Sequence, residues 1–240
     1  MIQLKLEFQL EKQELPRDLD RLMVSFLKAS LQNYSEELFN EMYDKSKSII
    51  KPYTYAYYLP GAKFSTDRIN LNENRFNMFF SDADMGQFIH FFNAFKLMKK
   101  KKYPMDKNSM KLMSVQSMER NPIKDNEAVI KMTSSLIVRK HLKDGNKDTY
   151  FTFDQEGFSD ALRENITIFL EKLNIPMSAQ GFSIVPVKGK KVVADVFGRK
   201  VDANIGVYKI TGDVQLLNLL YQVGLGVRRS QGHGKFEIIC

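Results

Sequence analysis

The C-terminal stretch 224–234 reads Gly-Leu-Gly-Val-Arg-Arg-Ser-Gln-Gly-His-Gly and holds two Gly-x-Gly pairs around five residues. Glycine takes positive φ without steric cost and lets the backbone approach a neighbour closely. The bracketed arginines supply forks of donors that suit phosphate. We therefore predict a loop that binds a polyanion, with a plain turn between a helix and a strand as the alternative. The predicted contact residues are Gly224, Gly226, Arg228, Arg229, Ser230, Gln231, Gly232 and Gly234.

The elements predicted around this loop exclude two common kinds of phosphate-binding loop. Residues 213–223 predict a helix capped by Asp213, and residues 235–239 predict a strand. A dinucleotide-binding loop has the reverse order, strand before helix, and it needs a third Gly where Arg229 stands. The chain contains no Gly-Lys-Ser or Gly-Lys-Thr, so the P-loop is excluded as well.

The N-terminal half carries the pattern of a βαββαβ unit. Residues 2–10 alternate apolar and polar side chains, which predicts a strand with one buried face. Pro16 predicts the start of a helix whose apolar positions recur with helical period to residue 31, and a short helix over 35–43 continues it. The remaining predicted elements are strands at 49–59 and 75–80, a helix at 82–98 and a strand at 110–118. This order is that of a ferredoxin-like domain.

The C-terminal half repeats this order less regularly. It has strand patterns within 129–138, at 182–187, at 191–197 and at 204–211, and a helix pattern over 155–173. Basic turns are predicted at Lys188-Gly189-Lys190 and at Gly198-Arg199-Lys200. We predict an α+β fold with two tandem ferredoxin-like, RRM-like domains, 1–118 and 119–240. One α+β domain without internal duplication is the alternative.

Composition favours a polyanionic partner. The chain has 36 basic and 28 acidic residues and a net charge of +8, although a well-solvated surface explains such a balance equally well. Its one cysteine, Cys240, excludes an internal disulfide framework and a multi-cysteine metal site. Neither a signal peptide nor a membrane-spanning segment is apparent, so we expect a cytoplasmic protein.

The glycine pattern after an amphipathic helix resembles the glycine-rich loop of the Cas6 branch of the repeat-associated RNA-binding proteins of CRISPR systems. A second segment, Lys51-Pro52-Tyr53-Thr54-Tyr55, is similar to a Lys-Pro-Phe-Thr-Phe-type segment in the N-terminal half of that family. The resemblance implies an endoribonuclease that cuts CRISPR precursor RNA within its repeats, without metal or cofactor. It implies repeat RNA as the partner and leaves open other CRISPR effector subunits and a homodimer.

The implied reaction is attack of a ribose 2′-hydroxyl on the adjacent phosphodiester, which needs a proton acceptor, a proton donor and a positive charge. The family usually places a His just before the Lys-Pro segment, but residues 30–60 contain no His. Tyr43 aligns best by spacing, with Lys47 or Lys51 to neutralise phosphate charge. His233 in the glycine loop is the alternative base, and binding without cleavage is the third possibility.

The sequence contains further basic residues and histidines outside these two segments. A basic hairpin that carries Lys188, Lys190, Lys191 and Arg199 is a candidate clamp for an RNA stem. His90 and His141 are expected to be structural or solvated, and three scattered histidines show no metal-ligand spacing, so no metal site is expected. Two competing functions are a non-catalytic guide-RNA-binding subunit and an RRM-like adaptor for cellular RNA.

Overall fold

The computed structural model describes residues 1–44, 46–47, 49–142 and 147–239, so Lys45 and Cys240 lie outside the described residues. The chain forms two compact units. The first comprises Met1–Lys51 and Tyr55–Arg120, and the second comprises Pro52–Thr54 and Asn121–Cys240. Among the described residues, no helix is both long enough and apolar enough to cross a membrane.

The first 120 residues contain eight described strands and three helices. The strands are β1 (Ile2–Leu10), β2 (Glu14–Pro16), β3 (Tyr53–Tyr58), β4 (Lys63–Phe64), β5 (Arg68–Asn70), β6 (Arg75–Asp82), β7 (Lys102–Met105) and β8 (Asn108–Glu119). The helices are α1 (Leu19–Tyr34), α2 (Glu36–Tyr43) and α3 (Met85–Met98). The main sheet has the order β3-β6-β1-β8-β7, and β1 pairs antiparallel with both β6 and β8. With α1 and α3 as the two crossover helices, this is the ferredoxin-like arrangement.

The core of this unit follows from the alternation in β1. Leu4, Leu6 and Phe8 are fully buried on one face. The ring of Phe8 meets Phe26 of α1 at 5.2 Å between centroids, edge to face, a favourable aromatic geometry. The predicted amphipathic strand is therefore confirmed.

Two local predictions for this unit need correction. Helix α1 begins at Leu19, because the Asp18 side chain accepts a hydrogen bond from the Arg21 amide and caps the helix, and Pro16 lies in β2 instead of opening the helix. The small sheet β2-β5-β4 was not predicted, since its strands have only two or three residues and show no periodicity.

The second unit repeats the topology. Its strands are β9 (Glu127–Met132), β10 (Val138–Leu142), β11 (Lys147–Phe151), β12 (Ser183–Val196), β13 (Arg199–Thr211) and β14 (Phe236–Ile238). Its helices are α4 (Phe158–Lys172), α5 (Val214–Val223) and a 3-10 turn at Arg229–Gln231. The sheet order β12-β13-β9-β14 is again that of a βαββαβ unit, and β10 and β11 form a separate hairpin. The predicted class, α+β with two tandem ferredoxin-like domains, is confirmed.

The basic turn predicted at Lys188-Gly189-Lys190 is wrong. These residues lie within β12, which continues from Ser183 to Val196 with one irregularity between Pro186 and Lys188. Gly189 faces Gly206 across the ladder, and a β-carbon on Gly189 would come within 2.5 Å of the Phe153 side chain. The glycine makes room for an aromatic ring, which is a common reason for Gly inside a strand. The predicted turn at Gly198 does connect β12 to β13.

Candidate functional site

The loop 224–234 has the backbone conformation that its glycines suggest. The φ angles are +81° at Gly224, +73° at Gly226, +89° at Gly232 and +76° at Gly234. A β-carbon on Gly226 would lie 2.2 Å from the carbonyl oxygen of Ile137, and one on Gly234 would lie 1.9 Å from that of Leu225. The close approach that glycine permits is thus to the protein's own backbone.

Backbone hydrogen bonds hold this loop in place. The Leu225 amide donates to the Gly234 carbonyl at 2.8 Å, which ties the two Gly-x-Gly pairs together. The Val227 amide donates to the Ile137 carbonyl at 2.9 Å. Main-chain atoms make both of these bonds, so the bonds themselves do not depend on which side chains stand at positions 227–231.

The two arginines in the loop have different environments. Arg228 is exposed and takes a left-handed φ of +61°. Arg229 is only 8% exposed, and its guanidinium carbon lies 3.8 Å from the centre of the Phe169 ring of α4. Burial lowers the pKa of Arg229 to about 9. The Ser230 and Gln231 side chains are half-buried.

His233 is a buried residue of the loop. It is 4% exposed, its Nδ1 lies 2.8 Å from the hydroxyl of Ser135, and its carbonyl accepts a hydrogen bond from Thr54 Oγ1 at 3.0 Å. Burial, together with the positive charge of Arg228, lowers the pKa of His233 to about 4. The imidazole is therefore neutral at physiological pH.

A small group of apolar side chains, the hairpin cluster, connects the loop to both hairpins of the second unit. Its buried members are Ile137, Ala194, Val196, Val201 and Ala203. Val227 of the glycine loop and Tyr150 of β11 both pack against it. Arg228 follows Val227 in sequence, and Arg199 pairs with Val196 across the β12–β13 ladder. Two predicted phosphate-binding arginines thus adjoin one cluster.

The other basic residues of the β12–β13 hairpin are spread along the strand. Lys188, Lys190, Lys191 and Arg199 are all exposed. Lys191 Nζ pairs with the Asp154 carboxylate at 2.7 Å. Lys188 and Lys190 lie within β12, so the basic residues extend along the strand instead of clustering at one turn.

A second cluster surrounds Tyr43, the last residue of α2, in the first unit. Lys51 Nζ lies 4.7 Å and Lys28 Nζ lies 5.1 Å from the centre of the Tyr43 ring. Both are within the range of cation–π attraction. Burial, assisted by the nearby charge of Lys28, lowers the pKa of Lys51. Lys47 is exposed and pairs with Asp44 at 3.7 Å.

Lys28 was not identified from the sequence. It lies on α1, within an apolar helix pattern that gives no sign of a functional lysine. Its position beside Tyr43 depends on the packing of α1 and α2, and only the helical phase of Lys28 relative to the buried Phe26 and Leu27 would have pointed to it.

Comparison with known proteins places this geometry in a family. The model of the C-terminal part of the CRISPR-associated protein Cas6 matches residues 116–238, about half of the chain. A search of curated proteins finds no match.

Solved structures share the fold over the whole chain. The product of a Cas6-related gene from Pyrococcus furiosus is 15% identical, with a TM-score of 0.85 over 99% of this chain and 98% of that one. A protein described as an RAMP protein binding different RNA substrates is also 15% identical, with a TM-score of 0.85 over 100% of both chains. A Cas6 product complex is 14% identical, with a TM-score of 0.74 over 99% of both chains. The family match and the shared fold agree, and the chain belongs to the Cas6 family of CRISPR-associated proteins.

Proposed function

We propose that this protein is a metal-independent endoribonuclease that cleaves CRISPR precursor RNA within its repeats. The observation that carries the proposal is the cluster of Lys28, Tyr43 and Lys51, which combines two cations with a phenol in a Cas6 family member. RNA as the substrate is supported by the family and by a similarly folded protein described as binding different RNA substrates.

The reaction we propose needs no group beyond the protein and the RNA. The ribose O2′ attacks the adjacent phosphorus while the bond from phosphorus to O5′ breaks, which leaves a 2′,3′-cyclic phosphate and a 5′-hydroxyl. Lys51 accepts the O2′ proton, because its lowered pKa increases the neutral fraction of the amine. Tyr43 donates a proton to O5′, and charged Lys28 stabilises the phosphorane. Lys47 is a further cation near the same helix end.

His233 remains the alternative base. Its burial, its low pKa and its contact with Ser135 support a role in ordering the glycine loop rather than in proton transfer. A base must come within hydrogen-bond reach of the hydroxyl that it deprotonates. Because His233 is only 4% exposed, the loop would have to open before its imidazole could reach the RNA.

RNA contacts are proposed for the second unit. Arg228 and Arg199, exposed beside the hairpin cluster, together with Lys188, Lys190 and Lys191, provide positive charge for backbone phosphates. We propose that the protein acts in the cytoplasm, together with the CRISPR precursor RNA. Other CRISPR effector subunits and a second copy of the chain remain proposed partners.

The decisive experiment incubates the purified chain with its repeat RNA in EDTA. Cleavage to products with a 5′-hydroxyl and a 2′,3′-cyclic phosphate is expected, and a single 2′-deoxy nucleotide at the cut site should abolish it. Tight binding without cleavage would instead indicate a guide-RNA-binding subunit. No preference for repeat RNA over other RNA would indicate a general RNA adaptor.

A further inference from the structure

The β10–β11 hairpin is anchored by two buried asparagines. Asn165 of α4 accepts a hydrogen bond from the Arg139 amide at 3.1 Å and donates one to the Arg139 carbonyl. Asn204 of β13 donates to the carbonyls of Leu136, at 3.2 Å, and of Phe151, at 3.0 Å. Buried polar groups with all their partners in place fix local geometry. The base of the hairpin is therefore held rigidly within the second unit.

This hairpin carries a network of three polar side chains. His141 and Asp148 face each other in the ladder, and His141 Nδ1 lies 2.8 Å from Asp148 Oδ1. Arg139 Nη1 lies 3.0 Å from Asp148 Oδ2. The hydrogen bond from His141 and the positive charge of Arg139 lower the pKa of Asp148. The carboxylate is thus ionised and shared between an imidazole and a guanidinium.

The ionised carboxylate fixes the tautomer of His141. A carboxylate only accepts hydrogen bonds, so in the neutral form of the imidazole the hydrogen lies on Nδ1. In that form Nε2 presents a lone pair as an acceptor. The His141 side chain is 47% exposed, and that of Arg139 is 32% exposed. An acceptor and a fork of charged donors are therefore both accessible to a ligand on one hairpin.

The surroundings make this surface part of a larger basic region. Tyr150, which faces Arg139 across the ladder, packs against the hairpin cluster. Arg199 and Arg228 adjoin the same cluster and are exposed. Arg139, Arg199 and Arg228, from two hairpins and the glycine loop, therefore all lie next to residues of the hairpin cluster or to residues packed on it.

A ligand that fits must offer an anion next to a hydroxyl donor. RNA does so at every nucleotide, where the 2′-hydroxyl neighbours the 3′-phosphate, and DNA has the phosphate without the hydroxyl. We propose that the β10–β11 hairpin binds the ribose–phosphate backbone, with Arg139 on a phosphate and His141 Nε2 accepting a hydrogen bond from a 2′-hydroxyl. This rests on the proposed function, because it takes RNA as the ligand.

The test compares binding of the full chain to repeat RNA and to DNA of the same sequence. The RNA carries one 2′-deoxy nucleotide at the cut site so that it stays intact. His141→Ala should weaken RNA binding about threefold to tenfold, the effect of one lost hydrogen bond, and leave DNA binding unchanged. Arg139→Ala should weaken binding to both nucleic acids. His90→Ala, which removes a histidine bonded to Tyr34 in the first unit, is the matched control and should change neither.

A second variant separates ligand contact from simple packing. Asp148→Asn keeps the shape of the side chain but no longer enforces the hydrogen on Nδ1, so the preference for RNA over DNA should fall as it does in His141→Ala. If both variants bind RNA with the wild-type preference, the inference is overturned while the proposed function stands. If the wild-type chain binds neither nucleic acid, both are overturned.

Discussion

The ammonium group of Lys51 lies 4.7 Å from the centre of the Tyr43 ring, and that of Lys28 lies 5.1 Å from the same centre. Two like charges beside one partly buried ring repel each other. The pKa of Lys51 is lowered by its own burial first and by Lys28 second. A lysine in this state loses its proton more readily than a lysine in water, which is the property that a proton acceptor needs.

The first prediction concerns the pH dependence of cleavage. The single-turnover rate should rise with pH through the titration of Lys51, below the range of an ordinary lysine, because only the neutral amine accepts a proton. Lys51→Arg should abolish this rise, since arginine stays charged. Lys63→Arg, at an exposed lysine of β4, is the matched control. A rise retained in Lys51→Arg would contradict the assignment of the base.

The second prediction distinguishes His233 from Lys51. With its pKa lowered to about 4, His233 should give no inflection in the rate profile near pH 6.5. His233→Ala should change the single-turnover rate at saturating RNA only mildly, provided that circular dichroism shows it folded. A loss of about 10²–10⁴ in rate with intact RNA binding would make His233 the base.

The third prediction uses salt dependence to find phosphate contacts. Arg228→Ala should weaken RNA binding and reduce the log–log salt slope by about one unit, as expected for one lost phosphate contact. Arg229→Ala should weaken binding with an unchanged slope, because the guanidinium is buried against Phe169. Arg21→Ala, at an exposed arginine of α1, is the control. An unchanged slope in Arg228→Ala would exclude its contact with phosphate.

The fourth prediction tests the glycine loop. Gly226→Ala combines a φ of +73° with a β-carbon 2.2 Å from a carbonyl oxygen, so it should destabilise the fold and weaken RNA binding. Gly181→Ala has a similar φ of +83°, and apart from its chain neighbours no described atom lies within 4 Å of the added β-carbon, so it isolates the cost of φ, about 1 kcal/mol. Gly226→Ala should have a clearly lower unfolding temperature and weaker RNA binding than Gly181→Ala. Equal behaviour of the two variants would contradict the close approach.

The fifth prediction concerns Asp82, a carboxyl that is 2% exposed before α3. Burial raises its pKa to about 8, so between about pH 4 and 8 the folded state binds more protons than the unfolded state. The free energy of unfolding should therefore fall as pH rises through this window. Asp82→Asn mimics the protonated form and should flatten the decline, measured by urea unfolding at pH 5 and pH 8. The same decline in the variant would assign it to other groups.

Much of the fold was predictable where one local interaction decides the structure. Asp213 caps α5 by accepting from the amides of Gln215 and Leu216, and the alternation of β1 shows directly which side chains are buried. Prediction failed where a distant residue decides. Gly189 suggests a turn until Phe153 is seen packed over it. The start of α1 was missed for a local reason, since Pro16 and Asp18 are both helix-start residues and Asp18 provides the cap.

The candidate site divides in the same way. Tyr43 and Lys51 are eight positions apart, so chain proximity alone made their contact a reasonable expectation. Lys28 required the packing of α1 with α2, which no pattern in the sequence specifies. Arg228 and Arg229 are neighbours with the same side chain, and only the tertiary fold separates an exposed guanidinium from a stacked one.

The glycine loop has a consequence for how such proteins diverge. Because main-chain hydrogen bonds between Leu225 and Gly234, and between Val227 and Ile137, hold the frame, substitutions at positions 228, 230 and 231 can accumulate without rebuilding it. Under the proposed function, recognition of a new repeat then requires changes to a few side chains, while the four glycines keep their positive φ angles. Proteins with this loop can thus evolve to bind a changed RNA while the backbone of the loop stays the same.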